Sequence, residues 1–359
     1  MNYILKYKDT DVLYFNTKSG TLSVVNKSLL PISIVGMKES YDMIRKFCSD
    51  RILMMNRKYC REILTSCNID NQSDISICIT GKALSFRDNY WIFTEGSHDT
   101  WDSVNLYKNS FSTEIEYISL TGDLSKYIIN DSLSTGELTN KGTKAKCFHR
   151  ENGMLFLIKH ESLTEIKAEI LTYYLANALG LKCSQYSYNR FNNLDCSVCR
   201  IFTSEEYELI PCRDIMSYYS ETSLSFNSKT FNTFMSVGNY DFLKMLLLDY
   251  IVLNTDRNRD NYGILKHSWA LTGLYPIFDH DSCFKGKLES AIYFPTGVSF
   301  SKSLSYIKEN YKQYLYYIRP NLNNLKSSLL SDNFKDLFKL YSDMDTYNSV
   351  LRRLNNILA

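Results

Sequence analysis

Apolar and polar positions alternate at the start of the chain in Y-I-L-K-Y and V-L-Y-F-N, and again in T-L-S-V-V beyond T-K-S-G. That period of two predicts a small antiparallel sheet. The spacing then becomes helical in Y-D-M-I-R-K-F-C and R-K-Y-C-R-E-I-L-T-S-C, and I-S-I-C-I-T-G-K-A-L-S-F-R-D-N-Y-W-I-F returns to strand character. A run of Ser, Thr, Gly, Asn and Lys over 131–144 reads as a flexible loop. Two strand candidates follow, 145–150 and 154–160, and Asn152-Gly153 between them favours the primed turn of a tight hairpin.

Ser162 and Glu165 have capping-box spacing, so a helix should start there and run to the Gly180 stop. Its apolar stripe is Ile166, Ile170, Tyr174, Leu175, Ala178 and Leu179, with Glu169 flanking it one turn from Ile166. S-V-C-R-I-F (197–202) reads as strand and D-F-L-K-M-L-L-L-D-Y-I-V-L (241–253) as a strongly apolar helix. N-Y-G-I-L and L-Y-P-I-F read as short buried strands. Beyond residue 300, S-L-S-Y-I-K-E-N-Y-K-Q-Y-L-Y-Y-I, N-L-K-S-S-L-L-S, N-F-K-D-L-F-K-L-Y and Y-N-S-V-L-R-R-L-N-N-I-L are helical stretches parted by short polar breaks.

With 359 residues, 44% of them apolar and 22% charged, the chain is long enough for two or three cores and too apolar for disorder. The formal charge of +2 gives no reason to expect direct nucleic-acid binding, and neither a basic amphipathic helix nor a spanning stretch points to a membrane. Ten cysteines lack framework spacing, and no secretory signal is visible, so a reduced, cytoplasmic setting is expected. Cys196 and Cys199 form a lone C-x-x-C inside a predicted strand, with no second pair at zinc-ligand spacing, and read as structural. Among the dispersed histidines only His280, beside Asp279, stands near candidate chemistry.

That chemistry lies in N-T-D-R-N-R-D-N-Y-G-I-L (254–265) and L-Y-P-I-F-D-H-D (274–281). Asp256 and Asn261 have the D-x-x-x-x-N spacing of a kinase catalytic loop, and Asp279 follows one short strand later. Phosphoryl transfer uses one carboxylate to orient and deprotonate a hydroxyl, while an amide oxygen and a second carboxylate hold Mg²⁺ on the nucleotide phosphates. Surface turns are also rich in Asn, Asp and Arg, but rigid apolar elements flank this loop on both sides. Upstream, a Gly-containing loop with Gly142, a strand ending in Lys159 and a helix bearing Glu169 complete a kinase-like order of parts.

These two motifs resemble the catalytic core of HipA-like serine/threonine kinases, with Asn258 where that family usually has histidine, and the chain as a whole is similar to clostridial or phage-type HipA-like proteins. The resemblance implies an α+β, two-lobed protein-kinase-like fold with a β-rich N-lobe (126–205), a helical C-lobe (206–359) and an N-terminal α+β accessory domain (1–125). It implies ATP and Mg²⁺ as cofactors, Asp256 as catalytic base, Asn261 and Asp279 as metal ligands, Lys159 as the phosphate-binding lysine and Glu169 as its partner. Gly142 would lie in the loop over the nucleotide. Family members autophosphorylate in that loop, which makes Ser132, Ser134, Thr135, Thr139 and Thr143 candidates here. The implied partners are a protein substrate and an antitoxin-like or regulatory protein, although the N-terminal part departs from that of the best-known toxin. A nucleotide-binding pseudokinase acting as scaffold, or a kinase for a lipid or small-molecule hydroxyl, are the alternatives.

Overall fold

Strands β1 (Asn2–Tyr7), β2 (Thr10–Asn16) and β3 (Thr21–Val24) pair antiparallel, and β4 (Tyr90–Thr94) adds to the free edge of β1. The order is β3-β2-β1-β4. This is a computed structural model describing residues 1–69, 73–110, 112–126, 135–238, 240–268, 270–285 and 288–359. The chain divides into two compact units, Met1–His160 with Thr203–Glu208, and Glu161–Phe202 with Leu209–Ala359.

In the first unit, helices α1 (Asp42–Ser49), α2 (Cys60–Ser66), α3 (Asp74–Thr80), α4 (Trp101–Val104) and α5 (Thr113–Thr121) accompany the sheet. Leu5, Leu13, Ile44, Phe47, Ile63, Ile77 and Ile115 share one core. The expected strand at I-S-I-C-I-T is instead helix α3. Ser73 caps it by accepting the amide of Ser76, and packing of Ile77 and Cys78 into the core overrides the strand preference of the isoleucines.

Strands β5 (Lys146–Glu151) and β6 (Met154–His160) form the expected hairpin. Asn152 and Gly153, at φ 49° and 77°, supply the two left-handed residues of its turn. The described part of the expected flexible loop is tied down: 135–140 is buried, and Leu138 enters the same core as α1 and α2. Arg57 fastens it, bonding the Glu137 carboxylate at 2.8 Å and the carbonyls of Glu137 and Asn140 at 3.0 and 3.1 Å. The units therefore part elsewhere than at 125 and 205: the loop shares a core through Leu138 and a buried ion pair with Arg57, and strand β5 lies against α5. Segment 203–208 also joins this unit, held by Trp101 Nε1 to Glu205 at 2.8 Å and Tyr7 Oη to Glu208 at 2.6 Å.

The second unit starts at α6 (Leu163–Ala178), whose Ser162–Glu165 capping box forms as the spacing predicts. Strands β7 (Tyr186–Phe191) and β8 (Leu194–Arg200) pair as a hairpin, and β9 (Tyr207–Pro211) leads into α7 (Cys212–Tyr218), α8 (Lys229–Ser236) and α9 (Asp241–Val252). Strands β10 (Gly263–His267) and β11 (Ala270–Leu274) pair antiparallel. L-Y-P-I-F is not a full strand, since β11 ends at Leu274 and only Ile277 makes a bridge, to Cys183. Two-residue strands β12 (Ile292–Tyr293) and β13 (Val298–Ser299) precede α10 (Phe300–Asn310), α11 (Lys312–Leu330), α12 (Asp332–Tyr341) and α13 (Met344–Leu358).

Helix α9 is the axis of this unit, buried from Phe242 to Val252, with α6, α8, α10 and α13 against it. The expected break near Pro320 does not occur. Pro320 lies inside α11, whose inward stripe of Ile318, Leu322, Leu325 and Leu329 continues across it and outweighs the lost backbone bond. All ten cysteines are free, those of the C-x-x-C included, and no helix among the described residues is long and apolar enough to cross a membrane.

Candidate active site

Leu253 ends α9 in the left-handed conformation (φ 51°) and turns the chain sharply out of the core. Asn254, fully buried, donates its amide to the Asp249 carbonyl at 3.0 Å and accepts the amide of Asp256 at 3.1 Å. The next loop is thus built from the helix end, and Asp256 projects from it as an exposed side chain. Asn258 accepts the amide of Asp260 at 2.9 Å, and its carbonyl accepts the amide of Asn261 at 3.1 Å. Gly263 follows immediately. A Cβ there would collide with the Ile210 carbonyl and the Tyr275 ring, so only glycine lets β10 start so close to the loop.

Asn261 Nδ2 donates to Asp279 Oδ2 at 2.8 Å and to the Asp256 carbonyl at 3.3 Å. The motif residues separated by the β10–β11 hairpin therefore meet. Asp279 has φ 64°, an uncommon conformation for aspartate that the surroundings impose. Tyr186 Oη accepts its amide at 3.1 Å, and the next amide, of His280, goes to Glu169 Oε2 at 2.8 Å. Glu169 is fully buried and not a solvated helix residue; His280 is equally buried, with Nδ1 3.3 Å from the same carboxylate oxygen.

The pKa of Asp256 is raised above the ordinary carboxylate value, first because the protein packed around its loop displaces part of the carboxylate's hydration even though the residue reaches solvent, and then by the charges of Asp279 and Asp281. Three carboxylates thus share one field, and a divalent cation would relieve their repulsion. Among the described residues there is no cluster of three His, Cys, Asp or Glu side chains fit to hold a metal. Asn261, through its amide oxygen, and Asp279 could instead supply two oxygen ligands. Such a pair would suit Mg²⁺, which keeps several waters and takes its remaining oxygens from substrate phosphates. Chemically, the arrangement offers one carboxylate with raised proton affinity beside an amide and a second carboxylate that could together hold a hard cation.

The other expected site residues lie in the first unit. Lys159, 4% exposed on β6, stands opposite Lys146 in the hairpin register. Gly142 has φ 112°, a conformation only glycine holds without strain. Thr135 and Thr139 are buried: Thr135 Oγ1 accepts the Glu137 amide at 3.0 Å, and Thr139 Oγ1 donates to the Leu84 carbonyl at 2.6 Å. Thr143 is exposed, and its carbonyl accepts the Lys58 amide at 2.7 Å. Ser132 and Ser134 lie outside the described residues.

Motif reading missed Arg257, Asp249, Tyr293 and Tyr186. Arg257 makes a bidentate ion pair with Asp249, Nε to Oδ2 and Nη2 to Oδ1 both at 3.0 Å, and both side chains are fully buried. Tyr293 Oη donates to Asp249 Oδ2 at 2.6 Å. Burial works against the charge of Arg257, and the Asp249 carboxylate more than restores it, so the guanidinium is held charged. One signal was available in the sequence. Asp249 is an acid in the middle of an apolar run, and a buried acid needs a partner, for which Arg257 is the next basic residue along the chain.

An α+β chain with an antiparallel sheet and hairpin in one unit, a helical bundle in the other, and Asp, Asn and Asp on the loops after a buried helix has a kinase-like fold. Over nearly its whole length it is similar to the HipA of the Shewanella oneidensis MR-1 toxin–antitoxin system, solved in a complex with HipB and operator DNA. The TM-score is 0.61 at 13% identity, covering 99% of this chain and 97% of that one. In sequence it is similar to the serine/threonine-protein kinase CtkA of Helicobacter pylori strain J99, 23% identical over 239 residues, 59% of this chain and 68% of that protein. The crystal structure of the H. pylori proinflammatory kinase CtkA matches at a TM-score of 0.45 and 17% identity, over 59% of this chain and 89% of that one. No family model matches the chain. The chain resembles the HipA-like serine/threonine kinases in sequence and has the HipA fold.

Proposed function

We propose that this chain is an ATP- and Mg²⁺-dependent kinase that transfers the γ-phosphoryl group to a serine or threonine hydroxyl of a protein, with its own loop among the acceptors. The observation that carries the reading is the 2.8 Å contact of Asn261 with Asp279 beside the exposed carboxylate of Asp256. Similarity to a named serine/threonine kinase supports the same class.

Asp256 orients the acceptor hydroxyl and takes its proton as the oxygen–phosphorus bond forms and the bond to the departing ADP oxygen breaks. Its raised proton affinity suits that task. Asn261 and Asp279 would hold Mg²⁺, which when bound offsets charge on the phosphates. Lys159 is proposed to bind phosphate, Glu169 to be its partner, and the loop at Gly142 to cover the nucleotide. These three assignments rest on the resemblance.

A protein substrate follows from the class, and an antitoxin-like or regulatory protein partner is proposed from the likeness to a HipA solved with HipB. The net charge of +2 supports no direct contact with nucleic acid by this chain. Calorimetric titration with ATP tests the binding half of the proposal. Mg²⁺-dependent binding by the wild type, lost in Asp279→Ala, is expected. Equal binding with and without Mg²⁺, or none at all, would overturn it.

A further inference from the structure

Arg257 occupies the gap between the two loops of the site and bonds to both. Its Nη1 donates to the carbonyl of Asn261 at 3.1 Å and to the carbonyl of Phe278 at 2.8 Å. Asn261 is itself an expected metal ligand, and Phe278 immediately precedes the other, Asp279. The two carbonyls come from backbone segments parted by the β10–β11 hairpin, so no shorter covalent path sets their distance. The rest of the guanidinium is spent on Asp249, whose carboxylate is held by Tyr293 and by Asn254 Nδ2 at 3.4 Å. Asp249 lies on the central helix α9 and Tyr293 on β12, so the fork is braced from two further directions.

Such a construction costs more than packing would require. A fully buried ion pair contributes little net stability against a well-packed apolar pair, and its usual advantage is geometric specificity. A planar, bidentate guanidinium fixes direction as well as distance, which a lysine in the same place would not. We propose that Arg257 is a positioning residue that sets the separation of Asn261 and Asp279, and so the affinity of the site for a divalent cation on its nucleotide. This rests on the kinase reading above. It goes beyond it by assigning metal affinity to a buried group that touches neither metal nor nucleotide. Asp249 and Tyr293 hold the fork in place.

The test compares wild type with Arg257→Lys and Tyr293→Phe. Arg257→Lys keeps a positive charge near Asp249 but cannot pair with it bidentately while also bonding both carbonyls. Tyr293→Phe removes one hydroxyl and keeps the ring. Calorimetry reads the Mn²⁺ concentration needed for half-maximal binding of a non-hydrolysable ATP analogue, and hydrogen exchange reads the amides of 254–261 and 278–283.

In Arg257→Lys the half-maximal Mn²⁺ concentration should rise by about tenfold or more, as expected for losing charge-assisted bonds in a buried site. Both loops should lose protection together while α9 keeps its own. Tyr293→Phe should move the same two readouts in the same direction by a smaller factor, and it carries the test if Arg257→Lys does not fold. A folded variant whose metal requirement is unchanged, or in which only one loop loosens, overturns the proposal. A wild type that binds no nucleotide with metal would sink the kinase reading instead, and the joint loosening of the loops would still decide whether Arg257 couples them.

Discussion

Replacing Glu169 by alanine separates two roles for one buried carboxylate. If Glu169 served only a bound nucleotide through its partner lysine, its loss would leave the unliganded fold nearly unchanged. The structure gives it a second task, because it accepts the His280 amide at 2.8 Å with no exposure to water. Losing a hydrogen bond to a charged acceptor costs about 1.5–3 kcal/mol, and the His280 amide would be left without it in a dry site. The one buried methylene that is lost adds about 0.8 kcal/mol. Relief from burying a carboxylate, several kcal/mol before its pairing is counted, works the other way. The balance is a destabilisation of about 2 kcal/mol. For a unit of this size that lowers the melting temperature by about 4–8 °C. Glu169→Gln keeps an oxygen for the amide and should lose about half as much. Calorimetric melting of the nucleotide-free protein measures the first number, and exchange of the His280 amide locates it. An alanine variant that melts within about 1 °C of wild type, with His280 still protected, would show that Glu169 holds nothing in the unliganded fold.

Arg57→Ala leaves the Glu137 carboxylate buried without its ion-pair partner and should destabilise the first unit by about 3–5 kcal/mol in urea unfolding; a loss under about 1 kcal/mol would show that the segment is held by packing alone. Asp256 has a folded-state pKa above its ordinary value, so its carboxylate favours the folded state less once pH rises through that pKa. Asp256→Asn should therefore be more stable than wild type near neutral pH and lose that advantage as pH falls through the ordinary aspartate range, in urea midpoints taken at both ends. Of the described loop candidates, Thr143 should be phosphorylated in preference to Thr135 and Thr139, which are buried and bonded. Phosphopeptide mapping of the native protein checks this, and label on Thr139 instead would mean that 135–140 leaves the core.

Features set by neighbours in sequence were legible from it. Asn152-Gly153 specifies its turn by backbone conformation, and the Ser162–Glu165 box closes within one helical turn, so neither depends on distant residues. The meeting of Asn261 with Asp279 and the Asp256 loop was legible from their spacing around one short hairpin, whereas the roles given to these residues are part of the proposal. What failed were cases decided by tertiary contacts. Helix α3 has a strand-like composition and is helical because its buried face meets the core, while Pro320 is tolerated because the stripe of α11 continues past it. Segment 135–140 has loop composition, yet Arg57, eighty residues before Glu137, binds it down. Arg257 and Asp249 escaped because their pairing depends on the left-handed turn at Leu253, which no residue type announces.

Phosphoryl transfer is read by incubating the purified protein with γ-labelled ATP and Mg²⁺. Asp256→Ala and Asp279→Ala are run beside the wild type, and labelled residues are identified by mass spectrometry. Label on a serine or threonine of the wild type, absent from both variants, is the predicted result. Equal label in Asp256→Ala would rule out Asp256 as the base, and no label in a wild type that binds ATP with Mg²⁺ would rule out transfer to its own loop, pointing to a pseudokinase or to an acceptor that is not this protein.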